Sequence, residues 1–463
     1  SLSLPPFNYL VVNFLTFSLF FIFLIKKSKQ HKSLKYFFLY GWLFGFGYFA
    51  ISLYWIPIAL TFDQNFNFLF PLALLVIPAF LALFYGLVSL SFVILKPKKI
   101  VSSFLAFSLI FAITEYFRGS ILTGFPWNLI VYSFSNQLEF LSITSVFGTY
   151  GLNLFCISLF TSPAIFISKD IKTNIGVFMF FFLVATSFYI YGFSYKEKFK
   201  NAENIVNDFN VRVIGSNIGI ERFYSNANSV LVIEELIKIS NPNMNQKIIF
   251  IWPEGILPEI SQKELNEYKW LFENKFNENH LLIMGINSQS IENNVKKYFN
   301  SLSIYDHEMN LINSYNKINL VPFGEFLPFE RILKRIGLSS LTNNYNSFSK
   351  GKKRDIIELE NKNFSLKILP LICYEIIYSG KLFNDVNFDL IVNISEDGWF
   401  GNSIGPKQHF AHSIIRAIES GKYITRSANN GIAAIINPIG IIEQKVNFGQ
   451  SGYIDFKESR KIQ

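Results

Sequence analysis

The stretch Leu369–Glu375 (LPLICYE) is an apolar run that ends in a cysteine, and a carboxylate follows that cysteine two residues later. Such a run predicts a buried β-strand with Cys373 at its end. A thiol fixed at a strand end becomes a strong nucleophile for acyl transfer once a base removes its proton. The commoner role of a lone cysteine is that of a small buried hydrophobic residue. Residues elsewhere in the chain must decide between these two interpretations.

The composition is that of a membrane protein with a soluble domain attached. Half of the 463 residues are hydrophobic, 53 are Phe, and the mean hydropathy is +0.29, which is typical of polytopic membrane proteins. Long apolar runs dominate up to Tyr195, whereas polar residues recur from Lys196 onward at the density of a soluble domain. We therefore predict a membrane helix bundle at 1–195, a linker at 196–206, an α/β catalytic domain at 207–456 and a tail at 457–463.

Six apolar runs are long enough to span a bilayer, which needs roughly 20 residues of helix. Lysines such as Lys29, Lys98 and Lys169 fill the first, third and fifth loops, and the second loop has no Lys or Arg. The positive-inside rule makes the odd-numbered loops cytoplasmic and places the second half of the chain outside the cytoplasm. Since Ser1 would then lie outside, we expect at least one further helix upstream. The runs are Phe7 to Ile25, Tyr36 to Leu60, Phe68 to Leu95, Ile100 to Phe117, Phe140 to Ile167 and Thr173 to Ser194.

The charges and cysteines argue against several other classes of protein. The net charge of +9 lies in loops between apolar runs and forms no basic face with interleaved aromatic residues, so we expect no nucleic-acid partner. With only two cysteines, a disulfide framework and a thiolate metal site are both improbable. His409 and His412 have an HxxH spacing but no carboxylate or thiol at a zinc spacing. We predict neither a metal nor a cofactor.

One loop of the membrane half carries charged and aromatic residues, in the segments EYFRG (Glu115–Gly119) and TGFPWN (Thr123–Asn128). Charged residues at the end of a spanning helix need each other or a lipid headgroup, which suggests a functional role. The alternative is an interfacial Arg118 that extends to water beside Trp127 as a belt anchor. Contact with a headgroup would be consistent with both interpretations.

The second half alternates β-branched strands with helical patterns, which predicts a layered α/β domain. Several strands are continuously apolar and therefore buried on both faces. The predicted strands are Val211 to Ile218, Lys247 to Ile251, Leu281 to Ile286, Phe299 to Tyr305, Leu366 to Ile372, Asp389 to Ile394 and Ile432 to Asn437, and the helices are Ser229 to Ile239, Glu264 to Phe276 and Ile404 to Glu419.

Two further polar residues follow strands of this domain. Glu254 comes directly after a buried strand in the sequence WPE, and Lys317 ends the segment Ser314–Lys317. A Glu can take the proton of a thiol, and a Lys ammonium can stabilise the oxyanion that forms when the thiolate attacks a carbonyl. Glu254 as a helix cap and Lys317 as a surface charge are the alternatives. Together with Cys373, the two residues predict a nucleophile, a base and an electrophilic stabiliser.

With these residues in place, the second half resembles the nitrilase superfamily, whose Glu-Lys-Cys triad matches Glu254, Lys317 and Cys373. The whole chain resembles the apolipoprotein N-acyltransferase family. The motifs that carry this resemblance are WPE at 252–254, NK at 316–317, LVPFGEFL at 320–327, CYE at 373–375, NISEDGWFG at 393–401, SIGP at 403–406 and NNG at 429–431, together with the two segments of the membrane loop.

The resemblance implies an α-β-β-α sandwich domain outside the cytoplasm, on a multi-pass protein of the bacterial inner membrane. Cys373 would take an acyl chain from a phospholipid as a thioester, and the amino group of a diacylglyceryl-modified apolipoprotein would accept it. Glu325 and Glu375 would support the triad, and the enzyme would act as a monomer in the bilayer. Residues expected to line the substrate path are Phe323, Phe326, Trp399, Phe400, Arg118, Trp127 and Phe223.

Some features depart from that family, and two other functions stay open. The family ordinarily has eight spanning helices, so we expect both ends of this chain to be trimmed, and Phe223 stands where an aromatic residue, often Trp, is expected. A membrane-tethered amidohydrolase would use the same triad with water as the acceptor. A non-catalytic transporter or scaffold would carry ionisable residues in mid-helix, and the runs here are nearly free of them.

Overall fold

The chain divides into two compact units. The first comprises Ser1–Lys200 and Asn402–Ala411, and the second comprises Asn201–Gly401 and His412–Gln463. The computed structural model describes residues 1–30, 33–95, 97–224, 228–292, 294–328, 330, 335, 347–380, 382 and 387–460.

Six helices in the described part of the first unit are long and apolar enough to cross a membrane, and each lies within or overlaps a predicted run. Their apolar side chains point both inward, where Phe rings pack together, and outward, as expected for a bundle surrounded by lipid. The helices are α1 (Leu10–Gln30), α2 (Leu34–Ser52), α3 (Phe70–Leu95), α4 (Ile100–Arg118), α5 (Thr144–Thr161) and α6 (Ile171–Asn201).

Helices α2 and α3 approach each other closely because α2 presents glycine at the contact. A Cβ on Gly41 would lie 2.2 Å from the carbonyl oxygen of Tyr85, and one on Gly45 would lie 2.8 Å from the Cβ of Tyr85. Small residues of this kind let helix backbones pack together inside a membrane, where the hydrophobic effect does not drive association.

Two of the predicted runs are interrupted. The second does not continue as α-helix beyond Ser52, and a 3₁₀ turn Ile56–Thr61 follows, whose second residue is Pro57. Proline has no N–H to donate and favours such a helix start. The fifth run changes direction at Gly148, whose φ of 68° and ψ of 170° are not helical. The length and apolarity of the runs predicted these spans, but they did not predict the positions at which the helices are interrupted.

Glu115 and Arg118 pair with each other inside the first unit. The Nε and Nη2 atoms of Arg118 donate to the two carboxylate oxygens of Glu115 at 3.0 and 2.7 Å, and both side chains are fully buried. Nη1 donates to the carbonyl oxygen of Phe125, which lies in the TGFPWN segment. The alternative that Arg118 extends to water at the interface is therefore wrong, because its charge is neutralised within the unit.

The second unit is built on one connected sheet. Its strands are β1 (Asn204–Ser216), β2 (Ile248–Ile251), β3 (His280–Glu292), β4 (Val295–Tyr305), β5 (Leu311–Asn316), β6 (Ile357–Glu360), β7 (Ser365–Ile372), β8 (Leu390–Glu396), β9 (Tyr423–Asn429), β10 (Ala433–Ile436), β11 (Ile442–Val446) and β12 (Gly452–Arg460). The order along the sheet is β5-β4-β3-β2-β1-β9-β8-β7-β6, with β12 on β1 and the β10–β11 hairpin on β9.

The two wings of this sheet are built alike. On each side of β1 two or three strands run parallel, β2 and β3 on one side and β9, β8 and β7 on the other, and antiparallel strands complete both edges. Parallel strands end at a common edge, so the residues that follow β2, β7 and β8 converge there. β2 is buried along its whole length and β8 likewise, as continuously apolar strands require.

Two of the three predicted helices of this half are present. They are α7 (Ser229–Ser240), capped by the side chain of Asn228, and α8 (Gly405–Ser420). The third predicted helix, Glu264 to Phe276, is instead a 3₁₀ segment that ends at Leu271. All seven predicted strands are present, and β5, β6, β9, β11 and β12 were missed.

The predicted domain boundaries fall inside regular elements. Residues 196–206, predicted as a linker, form the end of α6 and the start of β1. The predicted tail 457–463 continues β12 as far as Arg460, and its last three residues lie outside the described part of the chain.

We expect Glu115→Gln to destabilise the first unit, because it leaves the Arg118 guanidinium buried without its counter-ion. Removing one partner of a buried ion pair costs about 3 kcal/mol or more. The control is Glu139→Gln, which breaks a partly exposed pair with Lys196 (2.8 Å) and should cost less than about 1 kcal/mol. Thermal unfolding in detergent measures both, and equal losses in the two variants would contradict the prediction.

Candidate active site

Glu254 is placed by a strand pairing that continues beyond β2. Trp252 N–H donates to the carbonyl of Ile283 (2.8 Å), and Gly285 N–H donates to that of Pro253 (3.2 Å). This pairing brings the backbone of Glu254 against β3, where a Cβ on Gly285 would lie 2.5 Å from its Cα. Because residue 285 has no side chain, the backbone of Glu254 can lie this close to β3.

Lys317 follows β5, and its side chain is 1 % exposed. Its backbone N–H donates to the carbonyl of Asn300 on β4 (2.9 Å). The Nζ atom donates to Oε1 of Glu254 at 3.1 Å and to Oε1 of Glu325 at 2.9 Å. One ammonium is therefore shared by two carboxylates, which offsets the cost of burying it.

Asn300 makes the same two contacts from the other strand. Its Nδ2 atom donates to Oε1 of Glu254 and to Oε1 of Glu325, at 2.7 Å each. The two like-charged carboxylates are thus joined by an amide as well as by the ammonium of Lys317. Oε2 of Glu254 accepts from the backbone N–H of Glu396 (3.0 Å), so that both of its oxygens are fixed.

Cys373 follows β7 in a strained conformation. Its φ of 47° lies in the left-handed region, which costs a non-glycine residue of order 1 kcal/mol or more and is found at functional sites. The side chain is 8 % exposed. Burial and then the negative charge of Glu254 raise the pKa of this thiol well above its usual value, and they outweigh the ammonium of Lys317, which lowers it. The resting group is therefore a thiol, which needs a base before it can attack.

The charge of Lys317 is secured by its partners. Burial alone would lower the pKa of this ammonium, but Glu254, Glu325 and the ionised form of Cys373 raise it well above its usual value. A permanent positive charge thus lies beside the sulfur, where negative charge develops on an attacked carbonyl.

Glu375 organises the backbone around the triad without touching Lys317. Its Oε1 atom accepts from the backbone N–H groups of Ile318 (3.0 Å) and Asn319 (3.1 Å), and its Oε2 atom from that of Ile372 (2.9 Å). Tyr315 Oη and Arg354 Nη2 also donate to Oε1, at 2.7 and 2.6 Å. This buried carboxylate therefore holds the segment after Lys317 against the strand that carries Cys373.

The aromatic residues proposed to line the substrate path fall into two groups in this unit. Phe223 and Trp399 pack together with ring centroids 4.8 Å apart, and Phe223 lies against Gly255, the residue after Glu254. Phe323 is 53 % exposed and donates its N–H to the carbonyl of Phe326 (2.8 Å), in the loop that carries Glu325. Phe326 and Phe400 are half-buried.

Trp127 belongs to the first unit and is buried there. Its indole Nε1 and that of Trp55 both donate to Oε1 of Gln408, at 2.9 and 3.0 Å, and the two indole rings lie 4.8 Å apart. Gln408 lies in the Asn402–Ala411 segment, which belongs to the same unit. Arg118 and Trp127 are therefore internal to the first unit and are not exposed interfacial anchors.

The titratable groups of this site are those of acyl transfer. Among the residues that the structure describes, no group of three or more His, Cys, Asp or Glu side chains could hold a metal ion. What the site offers instead is a thiol, a hydrogen-bonded carboxylate and an ammonium within one buried cluster.

Comparisons with known proteins agree with this chemistry. Residues 1–161 match the family model of the apolipoprotein N-acyltransferase N-terminal domain, and residues 230–455 match that of carbon-nitrogen hydrolases. An apolipoprotein N-acyltransferase of Rhodopseudomonas palustris is 32% identical, over 98% of this chain and 86% of that protein, and one of Brucella melitensis is 30% identical, over 90% of this chain and 78% of that protein.

The chain belongs to the apolipoprotein N-acyltransferase family. Of the solved structures, Saccharomyces cerevisiae Nit3, a member of branch 10 of the nitrilase superfamily, is similar with a TM-score of 0.37 and 15% identity, over 56% of this chain and 93% of that one. The predicted family, the fold class of a helix bundle with a nitrilase-like domain, and the assignment as an acyltransferase are confirmed.

Sequence reasoning missed two residues of this candidate site. Asn300 lies in the middle of a strand, and nothing in its local pattern indicates that two carboxylates converge on it. Arg354 ends a basic run, GKKR, that looks like a solvated loop, yet its guanidinium is buried against Glu375. For Arg354, the mixed charges close to the predicted catalytic residues were a signal in the sequence that could have pointed to a role in the site. For Asn300 the sequence offers no such signal.

We expect Gly285→Ala to lower the rate of Cys373 acylation by about 100-fold or more, because the new methyl group must displace the backbone of Glu254 and small misplacements are costly in catalysis. Gly452→Ala is the matched control, since its Cβ meets only ordinary contact at 3.9 Å on strand β12. Single-turnover acylation followed by mass spectrometry measures both variants. Equal rates in both would show that the close approach at Gly285 does not position Glu254.

Proposed function

We propose that this protein transfers an acyl chain from a membrane phospholipid, through a thioester on Cys373, to the N-terminal amino group of a diacylglyceryl-cysteine apolipoprotein. The observation that carries this proposal is the buried cluster of Cys373, Lys317 and Glu254 in a chain whose described part also carries six apolar helices. Its relatives are named apolipoprotein N-acyltransferase, which is consistent with both halves of the chain.

In the first step Glu254 takes the proton of the Cys373 thiol as the sulfur attacks the ester carbonyl of the phospholipid. The C–S bond forms, and the carbonyl oxygen takes up negative charge close to the ammonium of Lys317. When the ester C–O bond breaks, the proton held by Glu254 goes to the departing glyceryl oxygen, and a lysophospholipid leaves. The raised pKa of Cys373 makes this coupling to a base necessary, since little thiolate exists at rest.

In the second step the α-amino nitrogen of the apolipoprotein attacks the thioester carbonyl. The C–N bond forms, the C–S bond breaks, and a proton from the amine passes by way of Glu254 to the sulfur. Lys317 stabilises the second oxyanion as it did the first, since its charge is held by Glu325 as well as by Glu254. Cys373 is then ready for the next phospholipid.

Both substrates are anchored in a bilayer, which explains why such a site belongs to a multi-pass membrane protein. We place the protein in the bacterial inner membrane with the catalytic unit on the periplasmic side, because lysines fill the odd-numbered loops. The aromatic side chains of Phe223, Trp399, Phe400, Phe323 and Phe326 would wall the acyl chain and exclude water.

Exclusion of water separates this proposal from the amidohydrolase alternative. A hydrolase must admit water to the thioester, whereas a transferase must protect the thioester until an amine arrives. The packing of Phe223 and Trp399 beside the Glu254 turn favours protection.

We expect Cys373→Ala to abolish acyl transfer, Glu254→Gln to prevent thioester formation, and Lys317→Ala to slow it by about 100-fold or more. Incubation of the purified protein with phospholipid, followed by intact mass measurement, should show an acyl adduct on the wild type and none on Cys373→Ala. Near-normal acylation in any of the three folded variants would refute its assigned role. Free fatty acid as the main product in the presence of a lipopeptide acceptor would favour the hydrolase.

The proposed orientation predicts which residues a membrane-impermeant thiol reagent reaches. Cysteines introduced at Lys29 and Lys98 should react only after the inner membrane is permeabilised, because Lys29 lies in the lysine-rich last turn of α1 and Lys98 in the lysine-rich connection before α4. Cysteines at Asn207 and Lys352 should react in intact spheroplasts. Cys373→Ala serves as the background for all four variants, and labelling of all four sites from one side would overturn the orientation.

A further inference from the structure

Glu396, the last residue of β8, is fixed by its side chain as well as by its backbone. Its backbone N–H donates to Glu254, as described above, and its carboxylate is 1 % exposed. That carboxylate accepts from the backbone N–H of Gly398 (2.8 Å) and from Nδ2 of Asn429 (2.7 Å), and it forms an ion pair with Arg222. A buried charge is costly, so its presence one contact away from the general base needs an explanation.

Arg222 lies in the 3₁₀ turn Ile220–Phe223, which follows β1, and it is also buried. Its Nη1 atom donates to the carbonyl oxygens of Ile218 (3.2 Å) and Gly219 (2.8 Å). Its Nη2 atom donates to the carbonyl of Gly255 (3.3 Å) and to Glu396. The guanidinium thus joins three stretches of chain: the turn after β1, the turn that carries Glu254, and the end of β8.

Arg222 contacts the ring of Phe223, and Glu396 fixes the backbone of the turn that carries Trp399. Phe223 follows Arg222 directly, and the guanidinium lies over its ring at 4.6 Å. Trp399 is three residues after Glu396, in the 3₁₀ turn Gly398–Phe400. Phe223 reaches to 3.2 Å from the position that a Cβ on Gly255 would occupy. The two charges therefore contact the Phe223 ring, the backbone of the turn that carries Trp399, and the turn that carries Glu254.

We propose that Arg222 and Glu396 are a positioning pair that holds the Phe223–Trp399 wall against the Glu254 turn and so keeps water away from the Cys373 thioester. This inference rests on the proposed function. Without its guanidinium, residue 222 no longer donates to the carbonyls of Ile218, Gly219 and Gly255. The turn after β1 is then released, and Phe223 moves with that turn. Water then adds to the thioester carbonyl, the C–S bond breaks, and the fatty acid leaves as Cys373 recovers its proton.

Formation of the thioester depends less on this pair. Glu254 keeps its contacts to Lys317, to Asn300 and to the backbone N–H of Glu396 when the side chain of Arg222 is changed. The signature of the positioning role is therefore a shorter life of the acyl-enzyme, with a smaller effect on its formation. If the pair only stabilised the fold, the acyl-enzyme would keep its wild-type lifetime in the fraction of protein that remains folded.

The test measures the decay of the acyl-Cys373 adduct by intact mass, in buffer without an acceptor. Arg222→Gln and Arg222→Lys should both accelerate decay by about tenfold, which corresponds to about 1.4 kcal/mol in the barrier. Arg222→Lys keeps a positive charge opposite Glu396 and therefore gives a folded protein for the measurement. The double variant Arg222→Gln with Glu396→Gln removes both charges, so it should regain stability relative to Arg222→Gln but not the lifetime of the adduct.

Arg212→Gln is the matched control. Arg212 on β1 is likewise buried, donates to the carbonyls of Ser240 (3.0 Å) and Asn241 (2.8 Å), and pairs with Asp455 (2.7 Å), but it has no contact with the Glu254 turn. The Arg212→Gln substitution should lower the unfolding temperature without changing the lifetime of the acyl-Cys373 adduct. Wild-type decay rates in both Arg222 variants, or equal acceleration in Arg212→Gln, would overturn the inference.

Failure of the positioning role and failure of the proposed function give different experimental results. If phospholipid gives no adduct on the wild type, or if a lipopeptide acceptor is not acylated, the proposed function fails. The adduct can still be loaded from an activated aryl ester, and its lifetime in the Arg222 variants still decides the role of the pair.

Discussion

The ammonium of Lys317, buried between the carboxylates of Glu254 and Glu325, is the interaction on which the site depends. Two carboxylates this close would repel each other, and a lone ammonium at this depth would be heavily penalised. Together, with the amide of Asn300 joining the same two oxygens, they form a stable cluster with a fixed charge. Glu254 thereby stays near Cys373, and positive charge stays where an oxyanion must form.

The sheet supplies the precision that this cluster requires. Parallel strands end at one edge, and β2 and β7 deliver Glu254 and Cys373 there from opposite wings, while the antiparallel strand β5 delivers Lys317 from the far side of β4. Glu375 then joins the turn at Cys373 to the segment after Lys317. Rigid elements thus position each reacting group, and loops provide Glu325 and the surrounding wall.

Sequence reasoning could locate this framework because its signals are local. Continuous apolar strands predicted β2, β7 and β8, and the polar residues directly after them identified Glu254 and Cys373. The rest depends on contacts between segments distant in sequence. Asn300 bridges two carboxylates 46 and 25 residues away, and Arg222 pairs with Glu396 across 174 residues. The length of the apolar runs also predicted six spans but could not show the break at Gly148, because the sequence carries no pattern that reports the backbone angles of a glycine.

The protonated state of Cys373 also has a consequence for how long the protein lasts. The compartment proposed for the catalytic unit is oxidising, and oxidation of cysteine proceeds through the thiolate. A buried thiol whose pKa is raised well above its usual value offers little thiolate to peroxide or to a passing disulfide. The other cysteine, Cys156, is buried in helix α5. A nucleophile that is activated only when substrate arrives can therefore remain reduced where no cytosolic reductant protects it.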